Sequence, residues 1–311
     1  MTKITRAGII KISFFILLVI ACDFTAGKVL DYVYFHTTSG KYNKLNYVIR
    51  KSKEDILVFG NSHAECHYIP SIIKDSLHES CFNAGFRNQD ILFTYAIHET
   101  ILDRFSPKLI IFNIDKEMLY ANKEAYENQK GKLSELLPFC NKEQGIRSVI
   151  EDRSIFEKFK LQSGIYPFNS SVVYLIKYLL SHSDNYKDGY YPIFGKLNPA
   201  SETKKDLSGA KAVEHLNREL VGKMLEIFDH FHAHNTRIVA VISPTFRKYW
   251  LINDSVASIF SRQGIPLLNY SRDQRFHNNA SYFSDDHHLN NEGAKLFSAI
   301  VAHDIKTILK K

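Results

Sequence analysis

The stretch ILVFGNSHAE, residues 56–65, decides the fold. Its four apolar residues, Ile56–Phe59, end in glycine, asparagine and serine, the residue types of tight turns and helix N-caps. A short uninterrupted apolar run is typical of a strand that is buried on both faces of a parallel sheet. Ser62 therefore follows the carboxyl end of a predicted strand, either as a nucleophile or as a turn residue that caps the next helix.

Further apolar runs of strand length alternate with amphipathic segments along the chain. The predicted strands are 55–60, 80–85, 107–115, 236–244 and 265–271, and the predicted helices are 69–77, 90–104, 209–235, 254–263 and 292–309. This alternation predicts an α/β fold, a three-layer sandwich with a central parallel sheet covered by helices on both faces. In open α/β sheets, sites form at the carboxyl ends of the strands, where Ser62 lies.

The N-terminus carries a predicted membrane anchor. Lys3, Arg6 and Lys11 precede and enter the apolar run of residues 7–27, which predicts that this end stays in the cytoplasm and that the rest of the chain is exported. Two alternatives stay open: an uncleaved single-pass anchor, or a lipoprotein signal cleaved before Cys22 within VIAC. Both place the bulk of the protein outside a bacterial cytoplasmic membrane.

We divide the chain into an anchor or signal (1–27), a connector (28–54) and an α/β domain (55–311). The polar interval of about 116–208 is too long for one loop, and we expect it to be a mostly helical insertion.

The excess of 40 Lys plus Arg over 33 Asp plus Glu is scattered and forms no nucleic-acid-binding stripe. The four cysteines show no zinc-binding spacing, and we expect no metal and no cofactor. Cys66 and Cys81 flank one predicted helix, and the sequence leaves a disulfide between them open.

A second polar cluster, YFSDDHHLNNEGAKLFS at residues 282–298, precedes the last predicted helix. Asp285 stands three residues before His288, a spacing that puts both groups on one side of a loop or helix start. The carboxylate can then fix the imidazole tautomer and leave the other ring nitrogen to accept a proton from a serine hydroxyl. A surface turn, and a metal site built on Asp285, Asp286, His287 and His288, are the alternatives.

Three motifs resemble those of the SGNH/GDSL hydrolase superfamily. FGNSHAE is similar to its first block, FNAG (residues 82–85) to its second, and DDHHLNNEGA (residues 285–294) to its last. The resemblance implies a flavodoxin-like fold, Ser62 as nucleophile, and Asp285 and His288 as acid and base. It also implies that the amides of Ser62 and Gly85 form the oxyanion hole.

The third block departs from the family pattern. FNID (residues 112–115) stands where the family has Gly-x-Asn-Asp, so Ile114 replaces the expected asparagine and Asn113 is adjacent. Losing one oxyanion donor typically costs about a hundredfold or more in rate. The layout also resembles membrane-anchored branches that act with a membrane-bound O-acyltransferase on envelope polysaccharides or teichoic acids.

These features predict an exported serine esterase or O-acyltransferase that acts on acyl esters, with acetyl expected, of a cell-envelope or extracellular polysaccharide. Asn61 is expected to support the nucleophile turn, and Arg247 to contact an anionic substrate. The alternative is a catalytically weak or inactive protein that binds glycan or a partner acyltransferase. We interpret His63, His67 and His78 as surface or helix-face residues, and His230 and His234 as a solvated helix end.

Overall fold

The computed structural model describes residues 5–119, 123–180, 185–198, 216–246 and 254–310. The chain divides into two compact units. Residues 44–132 and 184–311 form one, which we call the α/β unit; residues 1–43 and 133–183 form the other, the helical unit.

The α/β unit contains a sheet of five parallel strands in the order β2-β1-β3-β4-β5. The strands are β1 Ile56–Phe59, β2 Cys81–Asn83, β3 Leu109–Asn113, β4 Arg237–Ile242 and β5 Leu267–Asn269. Every residue of β1, β2 and β3 is buried, as expected for strands that are covered on both faces. The chain leaves β1 toward β2 on one side and returns to β3 on the other, which is the switch point of this sheet order.

Helices cover both faces of this sheet. In the α/β unit they are α3 Ser62–His67, α4 Pro70–Leu77, α5 Ile91–Leu102, α6 Lys116–Leu119, α7 Lys123–Lys132, α11 Arg218–Ala233, α12 Asp254–Arg262 and α13 Asn291–Leu309. Val58 and Ile111 join a core with residues of α4 and α13, whereas Phe59 and Phe112 pack against phenylalanines of α11. The predicted three-layer α/β sandwich with a parallel sheet is confirmed.

The helical unit combines the N-terminus with part of the central interval. It contains α1 Arg6–Phe35, α8 Gln144–Glu151, α9 Glu157–Lys160, α10 Val172–Leu180 and the 3₁₀ turns Leu133–Phe139 and Tyr166–Phe168. Tyr34 is fully buried against Phe139 and Phe168. Of the described helices, α1 is the one long and apolar enough to cross a membrane.

Several boundaries differ from the sequence-based expectation. Residues 28–54, predicted as a connector, contain the end of α1 and the helix α2, Gly40–Arg50. Helix α11 begins at Arg218, because the Asn217 side chain accepts hydrogen bonds from the amides of Glu219 and Leu220. The interval 116–208 is divided: α7 belongs to the α/β unit, whereas residues 133–183 belong to the helical unit.

Candidate active site

Ser62 is the first residue of α3, directly after the turn that ends β1. Gly60 in this turn has φ +141°, a conformation that side chains disfavour, and a Cβ there would lie 2.9 Å from the Asn113 carbonyl oxygen. The Asn61 side chain accepts a hydrogen bond from the His63 amide at 3.0 Å and so caps α3. Asn61 therefore takes the capping role, and the Ser62 hydroxyl is left for another partner.

That partner is His288. The Ser62 Oγ and His288 Nε2 atoms lie 2.9 Å apart, and His288 Nδ1 lies 2.9 Å from Asp285 Oδ2. A carboxylate only accepts hydrogen bonds, so Nδ1 carries the proton and Nε2 is the acceptor of the serine hydroxyl. The structure thus brings together the three residues that the sequence proposed as nucleophile, base and acid.

Asp285 is fixed by its own loop. Its Oδ1 accepts hydrogen bonds from the amides of His287 and His288, both at 2.8 Å. Burial raises the pKa of Asp285, but the hydrogen bonds from the His288 ring and these two amides outweigh it and hold the pKa well below its usual range. Asp285 is therefore a carboxylate at any pH at which the imidazole is neutral.

His67 joins the nucleophile helix to the base. It is wholly buried, and its Nε2 accepts a hydrogen bond from the Leu289 amide at 3.0 Å. Burial lowers the pKa of His67 well below its ordinary value, and neighbouring His63 and His288 lower it further. Of the two expected positions, surface or helix face, His67 takes the second: it is a buried residue of α3 and connects this helix to the residue that follows His288.

A second Asp–His pair lies beside the first. His63 Nδ1 is 2.6 Å from Asp115 Oδ1, and the His63 ring centroid is 5.5 Å from that of His288. Burial raises the pKa of Asp115, but the charge and hydrogen bond of His63 and a hydrogen bond from Asn61 lower it overall. The sequence analysis missed this pair, although Asp115 ends a predicted strand at the same sheet edge. His63, too, takes the helix-face position of the two that were expected, since it lies on α3 and is only 9% exposed.

The Gly85 amide is engaged in a hydrogen bond. It donates to Asn83 Oδ1 at 3.0 Å, so in this structure it is not free to bind an oxyanion as the resemblance implied. A Cβ on Gly85 would lie 2.5 Å from Ala64 Cβ and 2.8 Å from the Glu65 nitrogen. The glycine is thus required for close packing of the FNAG turn against α3.

Asn113 and Ile114 are both fully buried. Asn113 Oδ1 accepts hydrogen bonds from the Tyr68 hydroxyl at 2.7 Å and the Ser243 hydroxyl at 2.5 Å. Among the described residues, its Nδ2 has no hydrogen-bond partner. Ile114 contributes an apolar side chain to the core, whereas Asn113 presents a donor that no residue in the described part of the chain satisfies.

A buried charge network supports the opposite side of α3. Glu65 is 1% exposed and lies 3.3 Å from Lys44 Nζ and 2.9 Å from Arg87 Nε. The Tyr186 hydroxyl donates a hydrogen bond to Glu65 at 3.2 Å, beside the one from Lys44. Burial lowers the pKa of Lys44, while the charge of Glu65 opposes that effect. These side chains hold the helix that carries Ser62.

The remaining sequence-based expectations concern residues outside the candidate active site. Arg247 lies outside the described residues. The four cysteines are free thiols, so Cys66 and Cys81 form no disulfide. His230 is not simply a solvated helix end: its Nδ1 lies 2.8 Å from Nε2 of buried His98. In the described part of the chain, the one group whose ligand atoms lie close enough to hold a metal is His98, Glu99 and His230.

Comparisons with known proteins found similar solved structures at low sequence identity. No family model and no curated protein sequence matches the chain. One similar solved structure is described as a "putative platelet activating factor" from Streptococcus pneumonia, with 12% identity, a TM-score of 0.40, and coverage of 94% of this chain and 98% of that one. Another is described as a "putative acylhydrolase" from Bacteroides fragilis, with 12% identity, a TM-score of 0.38, and coverage of 88% and 98%.

Proposed function

We propose that the chain is a membrane-anchored, exported serine esterase or O-acyltransferase of SGNH type. Its substrate is an acyl ester, with acetyl expected, of a cell-envelope or extracellular polysaccharide. The observation that carries this proposal is the 2.9 Å separation of Ser62 Oγ and His288 Nε2, with His288 Nδ1 on Asp285. A serine, a histidine and an orienting carboxylate in hydrogen-bond sequence are the parts that nucleophilic acyl transfer requires.

The reaction runs in two halves. Ser62 Oγ attacks the acyl carbonyl carbon while its proton passes to His288 Nε2, and Asp285 stabilises the resulting imidazolium. The tetrahedral intermediate collapses, the sugar oxygen leaves with the proton from His288, and the acyl group remains on Ser62. Water or a second hydroxyl then gives its proton to His288 and attacks the acyl carbon. When this second tetrahedral intermediate collapses, the bond between Ser62 Oγ and the acyl carbon breaks and His288 returns the proton to Ser62 Oγ. Water gives hydrolysis and a hydroxyl gives transfer.

Two donors are available to the oxyanion in this proposal. The Ser62 amide is in the first turn of α3, where backbone N–H groups have no intrahelical acceptor. The second is Asn113 Nδ2, which has no partner among the described residues and is buried, so that it reaches the oxyanion only if substrate binding uncovers it. Asn113 would then replace the asparagine that the family carries one position later, at Ile114.

Helix α1 supports the membrane part of the proposal. It is 30 residues long, and none of its most apolar stretch is buried. The cations at its N-terminal side favour a cytoplasmic N-terminus. We propose an uncleaved anchor that keeps the active site at the outer surface of the membrane, next to acylated glycan or a membrane-bound O-acyltransferase.

Labelling of the active-site serine tests the mechanism. The full chain in detergent is treated with a fluorescent organophosphonate, beside the variants Ser62→Ala and Ser148→Ala. Ser148 is a matched control, because it is an exposed serine of α8 whose hydroxyl donates to the Gly145 carbonyl. We expect labelling of the wild type and Ser148→Ala and none of Ser62→Ala. Equal labelling of Ser62→Ala, or no labelling of the wild type, contradicts the mechanism.

A second candidate function is a binding protein with a slow or inactive site. The observation that favours it is the Gly85 amide, which is taken up by Asn83. An experiment in the native cell distinguishes the two functions: O-acylation of the envelope polysaccharide is compared between the wild type and Ser62→Ala. A change in acylation supports catalysis. Labelled Ser62 with unchanged acylation and no ester turnover supports binding.

A further inference from the structure

The helical unit exposes four large apolar side chains within residues 155–165, namely Ile155, Phe156, Phe159 and Ile165. The first three are 88%, 61% and 80% exposed, and Ile165 is 38% exposed. Soluble surfaces rarely show several large apolar side chains together without a partner. We call these four residues the apolar tip.

The apolar tip is attached to α1 at one level. Asp23 of α1 accepts hydrogen bonds from the Ser163 hydroxyl at 2.7 Å, the Gly164 amide at 2.6 Å and the Ile165 amide at 3.2 Å. A Cβ on Gly27 would lie 2.5 Å from the Gly164 backbone, so the two backbones touch. The turn of residues 163–165, which carries Ile165 and follows the segment of the other three tip residues, is therefore fixed beside Asp23.

Asp23 marks the outer end of the apolar part of α1. From Arg6 to Asp23 the helix rises about 26 Å, close to the ~30 Å of a bilayer's hydrocarbon layer. Lys11 is the one charged residue between them, and a lysine near a helix end can extend its ammonium group to the membrane surface. The large apolar side chains of this stretch are half or more exposed. If this part spans the membrane, Asp23 and the turn bound to it lie at the outer boundary of the hydrocarbon.

The rest of the helical unit is attached farther out. Lys142 pairs with Asp31 at 3.1 Å, and Asp31 is eight residues beyond Asp23, about 12 Å along the helix axis. The turn bound to Asp23 therefore lies nearer the cytoplasmic end of α1 than Lys142 does. A second exposed apolar group of the unit, which includes Val173, Ile176 and Leu180, lies on α10 and is not part of the tip.

We propose that the apolar tip inserts into the outer leaflet of the bilayer, as a second membrane contact beside α1. This inference rests on the membrane anchoring proposed above. Phenylalanine and aliphatic side chains at this level bury themselves at the boundary between headgroups and acyl chains. Between Glu151 and Ile165, Glu151, Asp152 and Glu157 are balanced by Arg153, Lys158 and Lys160. The contact is therefore apolar in origin and does not require anionic lipid.

Insertion is tested with single-cysteine reporters in the full chain. In a Cys22→Ala background, Phe159→Cys carries a polarity-sensitive fluorophore, and the protein is reconstituted into phosphatidylcholine vesicles with nitroxide-labelled lipid. Phe159 is 80% exposed, so its replacement leaves the fold intact. The matched control is Asn141→Cys, an exposed position next to Lys142. Ile16→Cys reports on α1 itself, and Cys22→Ala alone measures labelling of the three buried thiols.

We expect a blue-shifted emission at position 159 that loses about half its intensity to shallow nitroxides, an unquenched signal at 141, and quenching at 16 by deep nitroxides. If the fluorophore at position 159 stays in water while the one at position 16 is quenched, the insertion of the apolar tip is rejected and the membrane anchor is retained. A blue shift at 159 without quenching means that protein covers the tip and also overturns the inference. An unquenched reporter at 16 overturns anchor and tip together, whereas failure of catalysis is measured separately by Ser62 labelling.

Discussion

The Ser62 hydroxyl is available to His288 because its neighbour satisfies the helix end. Asn61 supplies the cap to the His63 amide, and it also helps to lower the pKa of Asp115 at the end of β3. One asparagine thus connects the nucleophile turn of β1 to the end of β3. At the scale of single residues, the candidate site depends on which polar atoms are already engaged and which are not.

Asp285→Asn removes the charge and keeps the shape of the acid. We expect kcat for an acyl ester to fall on the order of 10³–10⁴-fold, because the amide no longer stabilises the imidazolium or enforces its tautomer. The measurement is ester hydrolysis by the full chain, beside Asp286→Asn. A triad requires Asp285 and tolerates Asp286→Asn, whereas a metal site built on both carboxylates would lose activity in both variants.

Asn113→Ala tests the second oxyanion donor. Loss of one such donor typically lowers kcat about a hundredfold, with KM little changed. The variant also leaves the Tyr68 and Ser243 hydroxyls without their acceptor, at a cost of about 1–3 kcal/mol in the free energy of unfolding. Tyr68→Phe separates the two effects, because it alters this network and keeps Nδ2. Folded Asn113→Ala with wild-type kcat would exclude Asn113 as a donor.

The short helix α3 sets the position of the nucleophile, and it is held from several sides. The ion pairs of Glu65 with Lys44 and Arg87 fix its middle, and His67 fixes its end to the Leu289 amide. The FNAG turn packs against Ala64 with room for no side chain at Gly85. At the scale of elements, the geometry of the site therefore depends on the position of α3 relative to the loop that carries His288.

Gly85→Ala should disturb α3 through packing. The added methyl group meets Ala64 and the Glu65 backbone well inside van der Waals distance, so α3 must shift, and overpacking of this kind costs about 1–3 kcal/mol. We expect lower activity together with a lower unfolding midpoint. The control is Gly222→Ala in α11, where a Cβ meets nothing within 4 Å and alanine should stabilise the helix by up to about 1 kcal/mol. Loss of activity in Gly85→Ala with unchanged stability would instead indicate a direct role for residue 85 in the reaction.

At the scale of the whole molecule, the sequence predicts those features of the fold that follow from a local pattern of apolar and polar residues. Continuous apolar runs predict the strands of a parallel sheet, and sheet topology brings Ser62 and the Asp285–His288 loop to one edge. The contacts of His63, His67 and Gly85 were not predicted, because each joins side chains or amides of distant elements with no periodicity to mark them. His67 and Leu289, for example, are 222 residues apart. Helix α2 was missed because its Tyr- and Lys-rich sequence is indistinct from that of a polar linker.

The packing of α5 against α11 predicts a pH dependence of stability. His98 is fully buried there, its Nδ1 donates to the Tyr95 carbonyl at 2.6 Å, and its Nε2 accepts from His230. Burial lowers the pKa of His98 to about 4, with the Tyr95 carbonyl and nearby Glu226 opposing, and His230 and Lys223 reinforcing, that shift. His98 is therefore neutral in the folded state at pH values where the unfolded chain is protonated.

The sign follows from the two pKa values of His98. Above its ordinary value of about 6.5, both states are neutral and its contribution to stability is complete. Between about 6.5 and about 4 the unfolded state binds a proton that the folded state excludes, so the free energy of unfolding falls by up to about 3 kcal/mol. Buried His67 acts in the same direction, so His98→Gln should remove part of the dependence. The measurement is the denaturant midpoint of the full chain in detergent across this window, with exposed His303→Gln as control. A wild-type slope retained in His98→Gln would show that His98 is not the group responsible.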